Sequence, residues 1–315
     1  MLHLPAFALP NNRPTLLVSL SLSLCLSSYV PNALANPALT PQITKPATAR
    51  QVTDWCPALT TRLPTIKVSE CRNSGFSPSG TVSYNGFPLL QKELPAKQIK
   101  ARKILLLGGI HGDELSAAAI VFRWQDLLQK NPTPDLHWKI APVINPDGLL
   151  ARQAKRVNAR GVDLNRNFPT PDWEKEAPVY WVRTTQKDPR RFPGKKPISE
   201  PESRWIYDTI EQFKPDVIVS VHAPYGVLDF DGPAKPPIRF GRLHYSPVGV
   251  YPGSLGNYSG VHRDIPVVTI ELPHATQMPE NAEIQRIFQD MQSWIKKNLD
   301  KNKLTHAADT KALLR

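Results

Sequence analysis

Residues 103–114 read KILLLGGIHGDE, and this stretch decides the fold. Its first half, KILLLG, is apolar after the lysine and shows no polar alternation, which is typical of a strand buried on both faces of a helix-covered sheet. The loop GIHGDE follows at once, and an apolar helical stretch then runs from Glu114 to about Gln129. This order predicts an α/β domain whose reactive side chains stand in the loop after the strand.

Predicted strands and helices continue to follow one another along the chain. A second strand at 138–143 ends in the turn signal NPDG, and helix, strand, strand and helix follow at about 200–213, 216–221, 267–271 and 280–298. The sequence therefore predicts an α/β fold with a mixed, mostly parallel central sheet flanked by helices on both faces. Many of the 33 prolines cluster in 169–201 and 224–252, where we expect long ordered loops rather than further helix or strand.

The two ends of the chain differ from this domain. Residues 1–35 have the pattern of a signal peptide, with an apolar run and small residues at the expected cleavage site. A membrane anchor is the alternative, but the run from Thr15 to Ser28 is shorter than the roughly 20 residues that span a bilayer. We therefore expect a periplasmic or secreted protein without a stable membrane anchor. The expected organisation is a signal peptide (1–35), a flexible leader (36–50), an N-terminal segment (51–100), the main domain (101–300) and a polar tail (301–315).

Cysteine content fits export. Removal of the signal peptide would remove Cys25 and leave Cys56 and Cys71, which an oxidising compartment allows to pair. We predict this disulfide in the N-terminal segment; two unpaired cysteines are the alternative.

The net charge of +12 indicates attraction to anionic material. The sequence argues against nucleic acid as a partner, because export would separate the chain from it and the basic residues are scattered rather than grouped with aromatics. Arg190-Arg191 and Lys195-Lys196 lie in a proline-rich loop, where a solvated surface is expected. Nothing in the sequence indicates an oligomeric state.

Chemistry-bearing residues stand where the predicted strands end. His111 and Glu114 follow the first buried strand, His222 ends another, and Glu271 ends a third. Two imidazoles and one carboxylate form a known zinc-ligand set that leaves a coordination position for water. Taken alone, a histidine followed three residues later by a glutamate can arise by chance, and a lone His222 is more often a hydrogen-bonded core residue.

Several motifs in a fixed order make the interpretation specific. They are HGDE (111–114), NPDG (145–148), GVDLNRNFP (161–169), SVH (220–222) and TIEL (269–272). From about Lys103 to Asn298 the chain resembles the zinc carboxypeptidase family, the metallopeptidases similar to carboxypeptidase A. Within it the chain is similar to the bacterial murein peptide amidase subgroup, because of the GDE form of the first motif, the short path from NPDG to GVDLNRNFP, and the runs at 199–203 and 252–256.

The resemblance implies that residues 101–300 form a zinc peptidase domain with one Zn²⁺ ion. His111, Glu114 and His222 match the family's metal ligands. Asp163 matches the carboxylate that orients the first histidine, a partner that a metal-binding imidazole needs. Glu271 matches the general base that acts on water.

The resemblance also implies substrate-binding residues. Asn165 and Arg166 match the pair that holds the substrate's terminal carboxylate, and a planar guanidinium suits this task. Arg156 matches the arginine that polarises the scissile carbonyl, with Arg160 as the alternative. Leu255 matches a residue that lines the pocket for the terminal side chain. A tyrosine that covers the substrate is Tyr251, Tyr245 or Tyr258, with Tyr251 preferred.

The implied activity is hydrolysis of an amide bond next to a carboxylate-bearing residue, by water that zinc activates. For the murein subgroup this is the bond between the γ-carboxyl of D-glutamate and meso-diaminopimelate. Asp229 and Asp231 could contact the distal ammonium of that residue or form an exposed turn. One alternative is a broader carboxypeptidase that trims peptides, and another is a noncatalytic cell-wall peptide-binding protein. A serine hydrolase is not indicated, because the chain has no Gly-x-Ser-x-Gly motif.

Overall fold

The structure is a computed structural model that describes residues 49–299. The predicted signal peptide, nearly all of the leader and the polar tail lie outside the described residues. All described residues belong to one compact unit. No described helix has the length and apolarity needed to cross a membrane.

Residues 49–299 contain seven α-helices and nine strands, together with two 3-10 helices (Leu164–Arg166 and Pro189–Arg191) and one π-helix (Gly256–Val261). The helices are α1 (Ala49–Arg62), α2 (Val68–Asn73), α3 (Leu115–Lys130), α4 (Pro146–Leu150), α5 (Trp173–Arg183), α6 (Pro201–Phe213) and α7 (Asn281–Asn298). The strands are β1 (Ser77–Val82), β2 (Pro88–Leu94), β3 (Arg102–Leu107), β4 (Leu136–Ala141), β5 (Val217–His222), β6 (Val227–Asp231), β7 (Arg239–Phe240), β8 (Leu243–Tyr245) and β9 (Val267–Glu271).

The strands form one mixed sheet in the order β1-β2-β4-β3-β5-β9-β6-β8-β7. Its centre, β4-β3-β5-β9, is parallel, while β2 and β6 run antiparallel to the outer strands of this group. The predicted mixed α/β sheet is confirmed, with the parallel part concentrated at its centre. The carboxyl ends of the parallel strands meet at one edge, where ligands bind in such sheets.

Strand β3 is buried on both faces from Ile104 to Leu107, as its continuous apolar sequence predicts. Ile104 and Leu106 of β3 pack into a cluster with α3 and α7, whereas Leu105 and Leu107 pack into a second cluster with α6. This alternation follows from the two-residue period of a strand. Helices therefore cover both faces of the sheet.

Two proline-rich stretches contain more regular structure than expected. The prediction that 169–201 and 224–252 lack further helix or strand is wrong, because the first contains α5 and the second contains β6, β7 and β8. Helix α5 tolerates Pro178 because Trp173 and Ala177 bury one of its faces, and burial of an apolar face outweighs one lost backbone hydrogen bond. The NPDG signal also begins a helix, since the Asn145 side chain accepts a hydrogen bond from Gly148 N at the start of α4.

The N-terminal segment packs against the main domain. Cys56 in α1 and Cys71 in α2 form a disulfide with a Cα–Cα distance of 5.7 Å. Leu59 and Leu63 of α1 belong to the same core cluster as α3. The disulfide thus holds together two helices that add to the core of the domain.

Candidate active site

Three parallel strands bring the candidate residues to one edge of the sheet. His111 and Glu114 lie in the loop after β3, His222 is the last residue of β5, and Glu271 is the last residue of β9. His222 and Glu271 are direct partners in the register of β5 and β9. All four side chains line one cavity of about 280 Å³.

His111, Glu114 and His222 form a compact cluster. One potential ligand atom from each lies within 4.8 Å of the others, and all three residues are buried. His111 Nδ1 lies 2.7 Å from Glu114 Oε1, and His222 Nδ1 lies 3.0 Å from Glu114 Oε2. The two Nδ1 atoms are 3.1 Å apart.

The hydrogen bonds of the imidazoles fit a metal ion at this cluster. His111 Nε2 donates to Asp163 Oδ1 at 3.2 Å, which leaves the Nδ1 lone pair directed toward Glu114 and His222. The other nitrogen of His222, Nε2, lies 3.0 Å from Ser220 Oγ. Nitrogen lone pairs and carboxylate oxygens thus converge on one point, and a divalent cation is the group that stabilises such a convergence. The donor set, two imidazoles and one carboxylate, suits zinc.

Glu114 is held in its ionised form. Burial alone raises the pKa of this carboxyl, but the charges of His111 and His222 and their hydrogen bonds bring its pKa well below the usual range. An ionised carboxylate is the form that binds a metal.

Asp163 connects the cluster to its surroundings. Besides His111, its carboxylate accepts hydrogen bonds from Arg156 Nε at 2.9 Å and from Asn165 N at 3.0 Å. Arg156 Nη1 also lies 3.5 Å from Glu114. Arg160 lies elsewhere: it does not line the cavity, is half-exposed and pairs with Glu200. Of the two candidate arginines, the structure therefore places Arg156 at the cluster.

Glu271 faces the cavity with a free carboxylate oxygen. Its Oε2 atom is buried and has no hydrogen-bond partner in the described part of the chain. Burial raises the pKa of Glu271, and the charge of Glu114 raises it further. The charges of His222 and His111 lower this pKa, but the net shift is upward. A carboxylate with a raised pKa is a better proton acceptor than a solvated one, which is what a general base needs.

Asn165 and Arg166 line the same cavity from the segment after Asp163. The Asn165 side chain accepts a hydrogen bond from Leu255 N at 2.8 Å. Arg166 is buried, its Nη1 donates to the carbonyl of Asn165, and its guanidinium lies 4.3 Å from the centre of the Tyr251 ring. Asn165 is thus fixed by Leu255 N, and Arg166 by the Asn165 carbonyl and the Tyr251 ring.

The three candidate tyrosines occupy different environments. Tyr251 lines the cavity and donates its hydroxyl hydrogen bond to Val248 O at 2.9 Å. Tyr258 is buried and stacks on Phe168, and Tyr245 is exposed at the end of β8; neither lines the cavity.

Leu255 differs from its expected place. Its side chain is packed in the core cluster beside α6 and does not line the cavity. The neighbouring Ser254 and Gly256 line the cavity instead. The apolar pocket residue expected at this position is therefore absent from the cavity wall, because the chain turns this side chain into the core.

Two glycines allow close approaches around the site. A side chain at Gly112 would collide with the backbone of Gly148 in α4, and one at Gly253 would collide with the carbonyl of Arg166. Gly253 also has a φ of 76°, which favours glycine. Through these contacts the metal-ligand loop, residues 108–114, packs against α4, and Gly253 packs against Arg166.

Some cavity residues were not expected from the sequence. Tyr225 follows His222 and the cis Ala223–Pro224 bond, and its backbone hydrogen-bonds to Glu271. Arg190 and Arg191 line the cavity, and the Arg190 side chain is at the same time exposed to solvent, as the sequence predicts. Their basic pair was visible in the sequence, but no local pattern indicates that the proline-rich loop folds toward the site.

Comparisons with known proteins agree with this geometry. Residues 65–231, more than half of the chain, match the family model described as zinc carboxypeptidase. The chain is 34% identical over 162 residues to murein peptide amidase A of Escherichia coli K12, covering 49% of this chain and 64% of that protein. It is 32% identical over 195 residues to murein peptide amidase A of Vibrio campbellii, covering 60% of this chain and 75% of that protein.

Solved structures show the same fold. The crystal structure of murein-tripeptide amidase MpaA from Escherichia coli O157 matches with a TM-score of 0.52 and 28% identity, covering 69% of this chain and 90% of that chain. Carboxypeptidase A from Helicoverpa armigera matches with a TM-score of 0.54 and 16% identity, covering 79% of this chain and 72% of that chain. The second likeness concerns the fold alone.

Proposed function

Because the chain belongs to the zinc carboxypeptidase family, we propose that it is an exported zinc metallopeptidase that cleaves the γ-D-glutamyl-meso-diaminopimelate bond of murein peptides. Two relatives are named murein peptide amidase A. The match covers slightly less than two thirds of the first of them. The observation that carries the proposal is the unpartnered Oε2 atom of Glu271 in one cavity with the His111, Glu114 and His222 cluster.

The proposed mechanism uses few groups. Bound zinc would polarise the scissile carbonyl and lower the pKa of a water molecule from 15.7 toward about 7. Glu271 takes the proton from the attacking water, and its raised pKa suits this step. Arg156, anchored by Asp163, stabilises the negative charge that develops on the carbonyl oxygen. Glu271 then returns a proton to the leaving nitrogen.

Charges in the cavity support a substrate with both a carboxylate and an ammonium group. Arg166 and Asn165 would hold the terminal carboxylate. Asp229 and Asp231 line the cavity from β6, and the pKa of Asp231 is raised to about 7, first by burial and then by the charge of Asp229. No described residue forms an ion pair with Asp231. The distal ammonium of meso-diaminopimelate would supply the positive charge that this pair of carboxyls lacks.

The proposed location follows from the sequence of residues 1–35. Expression of the full chain in a bacterial host, followed by fractionation and N-terminal sequencing, tests it. A mature protein in the periplasm or medium, beginning near residue 36, is expected. Full-length protein in the cytoplasm would contradict export.

The substrate is tested by kinetics. Purified zinc-loaded protein is incubated with the tripeptide L-alanyl-γ-D-glutamyl-meso-diaminopimelate and with N-blocked dipeptides that have apolar C-terminal residues. We expect a higher kcat/KM for the tripeptide, with release of meso-diaminopimelate seen by mass spectrometry. A preference for the dipeptides would instead identify a general carboxypeptidase.

Two variants separate chemistry from recognition. Glu271→Gln should keep zinc and lose activity by at least about 1,000-fold, because an amide cannot take the proton from the attacking water. Asp231→Asn should raise KM for the tripeptide and leave kcat/KM for the dipeptides nearly unchanged. Substantial turnover by Glu271→Gln would remove this residue from the mechanism.

A further inference from the structure

Four arginines line the active-site cavity, and two of them form short ion pairs with carboxylates, at 2.9 and 2.8 Å. Arg156 contacts Asp163 and Glu114, and Arg190 Nη2 lies 2.8 Å from Asp113. These two guanidiniums therefore have their counter-ions within the protein.

Of the other two, Arg166 lacks a counter-ion in the described part of the chain, and Arg191 has a single, longer ion pair. Arg166 has no carboxylate within ion-pair distance, and its buried Nε has no hydrogen-bond partner. Arg191 has only Asp188, whose oxygen lies 3.6 Å from Nε. The charges of Arg166 and Arg191 are close enough to interact. Burial lowers the pKa of Arg166, and the charges of Arg156 and Arg191 lower it further, whereas the charge of Asp163 raises it.

The segment that carries Arg191 is anchored at several points. The Asp188 side chain accepts a hydrogen bond from Arg190 N at 2.9 Å, and the Arg190 side chain is held by Asp113 in the metal-ligand loop. Phe192 O accepts a hydrogen bond from Asp163 N at 2.8 Å. Arg191 thus lies between two attachments to the metal site. The chain on either side of Arg191 is therefore fixed, and only the side chain itself has to be ordered when it binds an anion.

We propose that Arg191 forms a second carboxylate-binding subsite beside Arg166, so that the preferred substrate carries two carboxylates near the scissile bond. This inference rests on the proposed function. Arg166 takes the terminal carboxylate and Arg191 takes the other. In a murein tripeptide the second group has two sources: the free α-carboxylate of the γ-linked D-glutamate, or the distal carboxylate of meso-diaminopimelate.

Binding to a variant that does not turn over tests the subsite. Calorimetry on zinc-loaded Glu271→Gln protein compares the tripeptide with two analogues. One analogue has D-isoglutamine in place of D-glutamate, and the other has L-lysine in place of meso-diaminopimelate, so that each lacks one of the two candidate carboxylates. Adding Arg191→Gln should raise the Kd of the tripeptide by about tenfold, since a charge-assisted hydrogen bond is lost. It should leave the Kd of one analogue unchanged, and that analogue identifies the source.

The controls separate the subsite from general effects. Arg183→Gln removes an exposed arginine of α5 outside the cavity and should not change the Kd of the tripeptide. Arg191→Lys keeps the charge and should restore part of the affinity. Equal losses for all three peptides, or no loss for the tripeptide, would overturn the second subsite.

The outcome for the subsite is separable from that for the proposed function. Cleavage of the tripeptide by wild-type protein without any dependence on Arg191 would leave the function standing and refute the subsite. Binding that depends on Arg191, without cleavage by the wild type, would support the subsite and refute the proposed function. No binding of the tripeptide would refute both.

Discussion

At the scale of single residues, Asp163 connects three parts of the site. One buried carboxylate fixes the His111 ring, holds Arg156 and accepts from the backbone of Asn165. Burial alone raises its pKa, but the charges of Arg156 and His111 bring the pKa well below the usual range. The ionised form of Asp163 is therefore favoured, and its carboxylate contacts both the proposed metal ligand His111 and the proposed substrate-binding segment at Asn165.

Replacement of this carboxylate should weaken metal binding. Asp163→Asn is expected to lower the affinity for zinc by about 10- to 100-fold, because the imidazole loses the partner that fixes its orientation and basicity. Competition with a chromogenic chelator measures the affinity. Asp172→Asn changes an exposed aspartate before α5 and serves as the control. An unchanged zinc affinity in Asp163→Asn would contradict the role given to Asp163.

Sequence reasoning reached some site residues and not others. The order of the motifs predicted that His111, Glu114, His222 and Glu271 lie together, because each follows or ends a buried strand whose ends must meet at one sheet edge. Leu255 and Arg191 could not be placed in this way. Their side-chain directions depend on how two irregular segments pack, and no local period determines that.

At the scale of elements, the first turn of α6 contains a carboxyl in an unfavourable setting. Glu202 is fully buried, and Asn158 Nδ2 donates to its Oε2 at 3.2 Å, while Oε1 has no partner among the described residues. Burial, with smaller contributions from Asp147 and Glu200, raises its pKa to about 7. The folded protein therefore favours the neutral form of this group.

This carboxyl should make stability depend on pH. Between the ordinary pKa of 4.5 and about 7 the folded state binds more protons than the unfolded state, so the free energy of unfolding falls as pH rises through this window. Glu202→Gln should remove this fall, with a gain on the order of 3 kcal/mol at pH 8. Urea unfolding from pH 5 to pH 8 measures it. Glu174→Gln, an exposed change in α5, should follow the wild-type profile.

The disulfide between α1 and α2 should contribute to stability independently of the site. It joins residues 15 apart in sequence. In the chain-entropy model, loss of a cross-link that closes a loop of this length lowers the free energy of unfolding by about 3 kcal/mol. The double variant Cys56→Ser/Cys71→Ser should show this loss in urea unfolding and keep its kcat. Reductant should lower the stability of the wild type and leave the variant unchanged; a wild type insensitive to reductant would contradict the contribution.

Elements differed in how far the sequence determined them. The continuous apolar run of β3 is typical of a strand between two helical layers, so its sequence alone indicates its place, and β5 and β9 are mostly apolar as well. Helix α5 and the short strands β7 and β8 contain or adjoin prolines. They form because neighbouring structure buries one face, and this contribution is not visible in local sequence.

At the scale of the whole molecule, metal binding and folding should be linked. The ligands come from two different parts of the chain, the loop after β3 and the end of β5, so the unfolded chain cannot present the same site. Zinc at about 1,000 times its Kd adds about 4 kcal/mol to the free energy of unfolding. This corresponds to a rise in Tm of about 10 °C for a domain of this size.

Removal of the metal tests this linkage. Treatment with a chelator should lower Tm by about that amount, and added zinc should restore it. Calorimetry or differential scanning fluorimetry measures the shift. His222→Ala lacks a ligand and should show a much smaller response to either treatment. An identical Tm with and without chelator in the wild type would argue against a bound metal.

Strand β6 pairs antiparallel with β9, so Asp229 lies opposite Thr269 and Asp231 opposite Val267. The proposed selectivity groups and the proposed base thus belong to neighbouring strands joined by main-chain hydrogen bonds. Substitution of the side chains at 229 and 231 leaves those main-chain hydrogen bonds in place. Substitutions in strand β6 alone could therefore redirect the protein toward other terminal residues, while the proposed metal ligands and base stay unchanged.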